Sequence, residues 1–259
     1  MKSIEQLKLK KQQQRPISMV TCYDFLMASI INDSLIDCVL VGDSVGTNHL
    51  GYSSEQEVRL TDMIYHTKAV ARGIQNQVII SDLPYQTYTT PAKAVTHARQ
   101  LINAGAQVIK FEGFYPDIVT ALKAEQIACA AHLGLLPQTA KKKTVQASDK
   151  SAAELLIQQA KILQEAGADM LIVELIPEEV AQQCSQQLSI PVIGIAAGRY
   201  CDGQVQVIYD VLGLTKKRFK HVPDLANLRH DCLDIFNHYH QRIDAATLLD
   251  ADNSFHTLF

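Results

Sequence analysis

Seven residues able to work together chemically lie at or just beyond the ends of short apolar runs. Asp43 and Ser44 follow Cys38–Val41, Asp82 follows Val78–Ser81, Lys110 and Glu112 mark the end of Val108–Phe111, His132 follows Ile127–Ala131, and Glu174 follows Met170–Val173. Taken singly, a polar residue at a strand end is commonly a cap for the next helix. Four acids converging on one mouth would repel one another unless a cation or raised pKa values offset the repulsion, so a shared site explains them better than separate caps. Hard oxygen ligands without a cysteine partner favour Mg²⁺, which keeps several waters and takes one or two carboxylates plus substrate oxygens. Asp43 and Asp82 suit direct ligation, with Glu112 holding a metal-bound water or binding the ion itself. Lys110 stands two residues before Glu112, so on a strand both side chains point to the same side, where the ammonium can balance a substrate carboxylate or the acids. His132 suits orienting a substrate or a neighbouring carboxylate; a purely structural hydrogen-bonding role is the alternative.

These residues need a frame that brings strand ends together. Further apolar runs occur at Ile17–Cys22, at Val192–Ile195 and, more weakly, at Val205–Tyr209, with helical patterns between them. Continuous rather than alternating apolar runs mark strands buried on both faces of a parallel sheet. About eight strand and helix units is the count of a closed (β/α)₈ TIM barrel, whose active sites lie at the carboxyl ends of the strands. An internal echo supports repeated units: Ala104-Gly105-Ala106-Gln107-Val108-Ile109-Lys110-Phe111-Glu112 aligns without a gap on Ala166-Gly167-Ala168-Asp169-Met170-Leu171-Ile172-Val173-Glu174. In each, an amphipathic stretch (Ala94–Ile102, Ala152–Leu163) ends at a glycine suited to the left-handed conformation, and a short strand then delivers a glutamate.

No Pro/Ser/Gly-rich linker divides the chain, which predicts a single barrel domain over 1–259 with a C-terminal helical extension from about 224. Pro223-Asp224 is expected to cap that last helix, with an apolar stripe of Leu225, Leu228, Cys232, Ile235, Phe236 and Tyr239. The polar stretch Lys141–Lys150 reads as an exposed loop.

Composition narrows the function classes. With 24 Lys plus Arg against 27 Asp plus Glu and a net charge of -3, the 259-residue chain lacks the basic excess of a nucleic-acid binder. No apolar run approaches the roughly 20 residues of a membrane span. The basic opening, Met1 to Lys11, is followed by no apolar core or cleavage site of a secretory signal, so a cytoplasmic protein is expected. The 6 cysteines are scattered singly, as small core residues in a reducing compartment are.

Several segments together resemble the ketopantoate hydroxymethyltransferase family: Leu40-Val41-Gly42-Asp43-Ser44-Val45-Gly46, Tyr65-His66-Thr67-Lys68-Ala69-Val70, Asp82-Leu83-Pro84, Lys110-Phe111-Glu112-Gly113, His132-Leu133-Gly134-Leu135-Leu136-Pro137-Gln138 and Pro191-Val192-Ile193-Gly194-Ile195. The resemblance runs from about Ile17 to Leu214, and its motifs are specific in combination and order. It implies a barrel of the phosphoenolpyruvate/pyruvate-binding type that transfers a hydroxymethyl group from 5,10-methylenetetrahydrofolate to 3-methyl-2-oxobutanoate, giving ketopantoate on the way to pantothenate and coenzyme A. It further implies that Asp43, Asp82 and Glu112 belong to a Mg²⁺ site, that Asp43, Ser44, Asp82 and Lys110 hold the keto acid, that Glu174 is the base, and that the protein is a homo-oligomer, a decamer. Physical logic agrees: a 2-oxo acid chelates Mg²⁺, and the metal as Lewis acid stabilises the enolate formed when a proton leaves the adjacent carbon.

The chain departs from the family pattern at Glu55-Gln56-Glu57-Val58-Arg59, at Ala140 to Ala147, at Gly194-Ile195-Ala196-Ala197-Gly198 and at Tyr209-Asp210, expected on the eighth strand. These changes bear on folate capture more than on the acids, and a methyl at Ala196 is expected to obstruct a close backbone approach that glycine permits. Lys141–Lys143 and Lys216–Lys220 read as solvated surface, with steering of an anionic folate tail as the alternative. Two rival functions remain: a Mg²⁺-dependent 2-oxo acid lyase or decarboxylase of related barrels, and a non-catalytic paralogue serving as a binding module.

Overall fold

A computed structural model describes residues 3–249 and 253, and the chain falls into two compact units, Met1–Val207 and Ile208–Phe259. The first unit is a closed barrel of eight parallel strands in sequence order: β1 (Ile17–Thr21), β2 (Cys38–Val41), β3 (Val78–Asp82), β4 (Val108–Glu112), β5 (Cys129–Gly134), β6 (Met170–Glu174), β7 (Val192–Ile195) and β8 (Gly203–Gln206). Helices α2 (Phe25–Asn32), α3 (Leu60–Gly73), α4 (Pro91–Ala104), α5 (Pro116–Ala124), α6 (Lys150–Ala166) and α7 (Glu178–Gln187) fill the crossovers from β1 to β7. The TIM-barrel architecture anticipated from the apolar runs is thus present.

Local chemistry explains the boundaries. Asp24, Thr90 and Asp149 each accept a hydrogen bond from a first-turn backbone N–H of α2, α4 and α6, and Pro91 opens α4 where a missing N–H costs nothing. Both helices of the internal echo end at left-handed glycines, Gly105 at φ 115° and Gly167 at φ 112°. Strand β8 is displaced from the expected Val205–Tyr209: Gly203 pairs with Ile17 to close the barrel, so the strand has ended by Gln206. Tyr209 and Asp210 consequently lie on the short helix α8 (Ile208–Val211) and not on a strand.

The amino end of the barrel is closed by a segment that sequence reading left without a role. Helix α1 (Ile4–Gln12) inserts Leu7, fully buried, among Ile17, Cys38, Val78, Val108, Met170 and Val205. Around Leu7, Lys8 reaches Asp169 at 2.7 Å, Lys10 reaches Asp37 at 2.5 Å and Lys11 reaches Asp202 at 2.6 Å, acids that precede β6, β2 and β8. An apolar plug ringed by ammonium groups therefore satisfies the strand-entry carboxylates.

In the second unit, α9 (Leu228–Asp244) starts later than Pro223-Asp224 predicts, with Asn227 at its N-cap. Asp224 is instead engaged in an ion pair with Arg218. No helix among the described residues is long and apolar enough to cross a membrane.

Candidate active site at the carboxyl end of the barrel

The period of two along each strand decides which side chains share the barrel interior. The inward rows run Val78, Ile80, Asp82 on β3, Val108, Lys110, Glu112 on β4, Ala130, His132, Gly134 on β5 and Met170, Ile172, Glu174 on β6. Each row is apolar at its amino end, where these residues join the core, and polar, or in β5 finishes in glycine, at its carboxyl end. Register then sets the charged ends side by side: Asp82 pairs with Lys110, Glu112 with His132 and Gly134 with Glu174. His132 lies inside β5, which runs on to Gly134, and not after the strand as the sequence indicated.

Asp43 and Ser44 enter from a tight turn after β2. The Asp43 backbone N–H donates to Asp82 Oδ2 at 3.1 Å, and Lys110 Nζ stands 2.9 Å from Asp82 Oδ1 as a buried ion pair. Ser44 Oγ lies 2.9 Å from the Tyr23 hydroxyl. Burial opposes the charge on Lys110, but the facing carboxylates of Asp82, Glu112 and Asp43 outweigh it and hold the ammonium firmly protonated. Burial, reinforced by the Asp82 charge, raises the Asp43 carboxyl well above the usual carboxylate range.

On the other side of the mouth, His132 sits between two glutamates. Its Nδ1 is 3.7 Å from Glu112 Oε1 and its Nε2 is 3.5 Å from Glu174 Oε2, too far for regular hydrogen bonds, and both ring nitrogens are buried. Burial and then the Lys110 charge push the imidazole well below its ordinary pKa, so the ring is neutral. Burial lifts Glu112 and Glu174 each to about 7. All seven residues singled out in the sequence therefore meet at one mouth.

The donor set fits a divalent cation. Three carboxyls are held above their ordinary pKa by burial among like charges, which describes a shortage of positive charge. Among the described residues no group of three His, Cys, Asp or Glu side chains is arranged to hold an ion unaided.

Sequence reading missed Gln138, Tyr88 and Tyr23. Gln138 is fully buried and touches both Asp43 and Glu112, while Tyr88 hydrogen-bonds its side chain. A polar residue just past a strand, following Pro137, gave no periodic signal. The altered loops meet above the site: Gln56 Nε2 donates to the Gln138 carbonyl at 2.7 Å, and Lys143 Nζ is 3.9 Å from Glu55 Oε1. Beside them opens a cleft of about 750 Å³ lined by Tyr52, Gln56, Arg59, Tyr85 and Thr87. Ala196 adopts φ 50°, the left-handed conformation that glycine tolerates best, so its methyl strains its own backbone.

A family model described as ketopantoate hydroxymethyltransferase matches residues 1–248. The chain belongs to the ketopantoate hydroxymethyltransferase family. Relatives named 3-methyl-2-oxobutanoate hydroxymethyltransferase include one from Halalkalibacterium halodurans, 41% identical over 98% of this chain and 94% of that protein. Another, from a Thermoanaerobacter species, is 38% identical over 95% of this chain and 92% of its own. Solved structures similar in fold include phosphonopyruvate hydrolase complexed with oxalate and Mg²⁺, with a TM-score of 0.67 at 11% identity, covering 100% of this chain and 93% of that one. A 2,3-dimethylmalate lyase of the PEP mutase/isocitrate lyase superfamily gives 0.62 at 14% identity, covering 98% and 93%. At such identities these structures speak to the barrel alone.

Proposed function

We propose that this member of the ketopantoate hydroxymethyltransferase family transfers a hydroxymethyl group from 5,10-methylenetetrahydrofolate to 3-methyl-2-oxobutanoate, forming ketopantoate. The observation that carries the reading is Glu174, a largely buried carboxyl lifted to about 7 and facing the same mouth as Asp43, Asp82 and Lys110. A carboxylate so raised is a stronger base than one in water, as removal of a proton from carbon demands.

Mg²⁺ held by Asp43 and Asp82, with Glu112 beside them, would supply Lewis-acid polarisation of the keto oxygen. Lys110 balances the substrate carboxylate, and Ser44, steadied by Tyr23, adds a hydrogen bond. Glu174 takes the proton from carbon three; that carbon bonds to the methylene carbon of folate as the C–N bonds holding it break, water supplies the hydroxyl oxygen, and the abstracted proton and the remaining proton of water go to the nitrogens of the departing tetrahydrofolate. Neutral His132 orients Glu174 and the substrate without competing for the proton. The cleft beside the loops is assigned to folate, its lining residues Tyr52 and Tyr85 supplying aromatic rings for the pterin and Arg59 a charge for the carboxylate tail. A cytoplasmic location and a homo-oligomer, a decamer by family resemblance, complete the reading; a sedimentation value of a monomer would count against that assembly.

The deciding experiment is proton NMR of 3-methyl-2-oxobutanoate in D₂O with Mg²⁺, comparing the unmodified protein with Glu174→Gln, before and after adding methylenetetrahydrofolate. Loss of the carbon-three proton only with the unmodified protein, followed by ketopantoate on adding folate, is expected. Exchange without product would remove folate as donor. No exchange in folded, metal-loaded protein would sink the transferase reading and leave the lyase or binding-module alternatives.

A further inference from the structure

Gln138 is where the two sides of the acid cluster meet. Its Nε2 donates to Asp43 Oδ2 at 2.7 Å and to the Leu83 carbonyl at 3.0 Å. Its own backbone N–H donates to Glu112 Oε2 at 3.0 Å, and its Oε1 accepts from the Tyr88 hydroxyl. The orientation of the amide follows from the partners. A backbone carbonyl can only accept, so the NH₂ must face Leu83 and Asp43, which leaves Oε1 for the phenol. The Glu112 backbone hydrogen-bonds the same phenol oxygen, so the Tyr88 proton is directed at Gln138.

A fully satisfied buried network of this kind holds one geometry, because every alternative leaves a donor or acceptor unpaired in a low-dielectric interior. Here the geometry being held is that of two carboxylates from different strands. Gln138 fixes one oxygen of Asp43 through its side chain and one oxygen of Glu112 through its backbone, which leaves each carboxylate a second oxygen free of Gln138.

We propose that Gln138 is a positioning residue for the metal site of the reading above, on which this inference rests, and that Tyr88 acts through it by fixing the side-chain amide. Hydrogen bonds to ligating carboxylates orient them before the ion arrives, and losing such a partner typically costs about 10–100-fold in metal affinity.

The test uses the whole chain, freed of metal, titrated with Mn²⁺ in the presence of 3-methyl-2-oxobutanoate and followed by water-proton relaxation. Circular dichroism and thermal unfolding report the fold. Gln138→Met keeps the length of the side chain and removes its side-chain hydrogen bonds to Asp43, Leu83 and Tyr88 while leaving the backbone N–H on Glu112; it is expected to lower Mn²⁺ affinity about tenfold. Tyr88→Phe removes one oxygen and is expected to lower it about threefold, less because the amide stays in place. The double variant should be no weaker than Gln138→Met alone, because Tyr88 has nothing left to act through. A folded Gln138→Met protein that binds Mn²⁺ within twofold of the parent overturns the proposal, as do effects that simply add. If Gln138→Met does not fold, unchanged Mn²⁺ affinity in Tyr88→Phe overturns it instead. Parent protein that binds no Mn²⁺ removes the metal reading and this inference together; a binding parent with unaffected variants removes the inference alone.

Discussion

Gly134 passes so close to Glu174 that a β-carbon on it would lie 2.3 Å from the Glu174 carbonyl oxygen. The two residues are register partners on β5 and β6, and Gly134 has φ 94°. The absence of a side chain at the end of one inward row is what lets the glutamate ending the next row sit against it. Gly134→Ala should therefore destabilise the protein by about 2–4 kcal/mol through backbone strain and overpacking. At temperatures where it remains folded, deuterium exchange into 3-methyl-2-oxobutanoate should fall at least roughly tenfold, since a displacement of about 1 Å costs that much or more. Unchanged exchange would mean that Glu174 does not need this placement.

The pH dependence follows from Glu174. A base works when deprotonated, and burial lifts this carboxyl to about 7, so exchange should rise with pH through about 7 and then level off. His132, neutral throughout by burial and the nearby Lys110, adds no opposing limb in that window. A rate flat from about pH 5.5 to 8.5 would contradict the assignment. The linkage sign runs opposite for stability: a carboxyl raised in the folded state contributes most below its unfolded pKa of about 4.3, and that contribution is lost as pH rises through about 7.

Lys110 and Asp82 form a buried ion pair at 2.9 Å. Removing one partner strands the other, so Lys110→Met should cost about 3–5 kcal/mol in metal-free protein. Mg²⁺ should recover part of that loss, because a ligand that binds only the folded state stabilises by mass action and here replaces the missing positive charge. Thermal unfolding with and without Mg²⁺ measures both effects, and equal metal response in parent and variant would argue against an ion at Asp82.

At the opposite end of the barrel, Leu7 is fully buried under the lysine ring of α1. Leu7→Ala should cost about 2–5 kcal/mol by cavity formation. Its exchange rate below the unfolding transition should match the parent, because the plug and the acid cluster occupy different ends of the strands. A stability loss under about 1 kcal/mol in chemical denaturation would show that α1 is not part of the core.

Much of this arrangement is legible in the chain itself. Parallel strands buried on both faces must be continuously apolar, so their runs stand out, and the echo between 104–112 and 166–174 marks two αβ steps in the sequence itself. Asp82, Lys110, Glu112 and Glu174 are legible because a period of two continues an apolar row into a charged end. His132 follows the same rule from Ala130 but was placed beyond the strand, since a histidine breaks the apolar run that defines one.

Sequence alone thus determined the barrel, the acids at its mouth and the family to which the chain belongs, because each depends on local pattern: hydrophobic period, strand-end chemistry and motif order. Tertiary structure alone decided what those groups have as neighbours. Register set Asp82 against Lys110 and Gly134 against Glu174, barrel closure moved β8 forward to Gly203, and the lysines of α1 found aspartates far away in the chain. The role of Gln138 belongs wholly to this second class, since a buried amide has meaning only through the partners that three-dimensional packing brings to it.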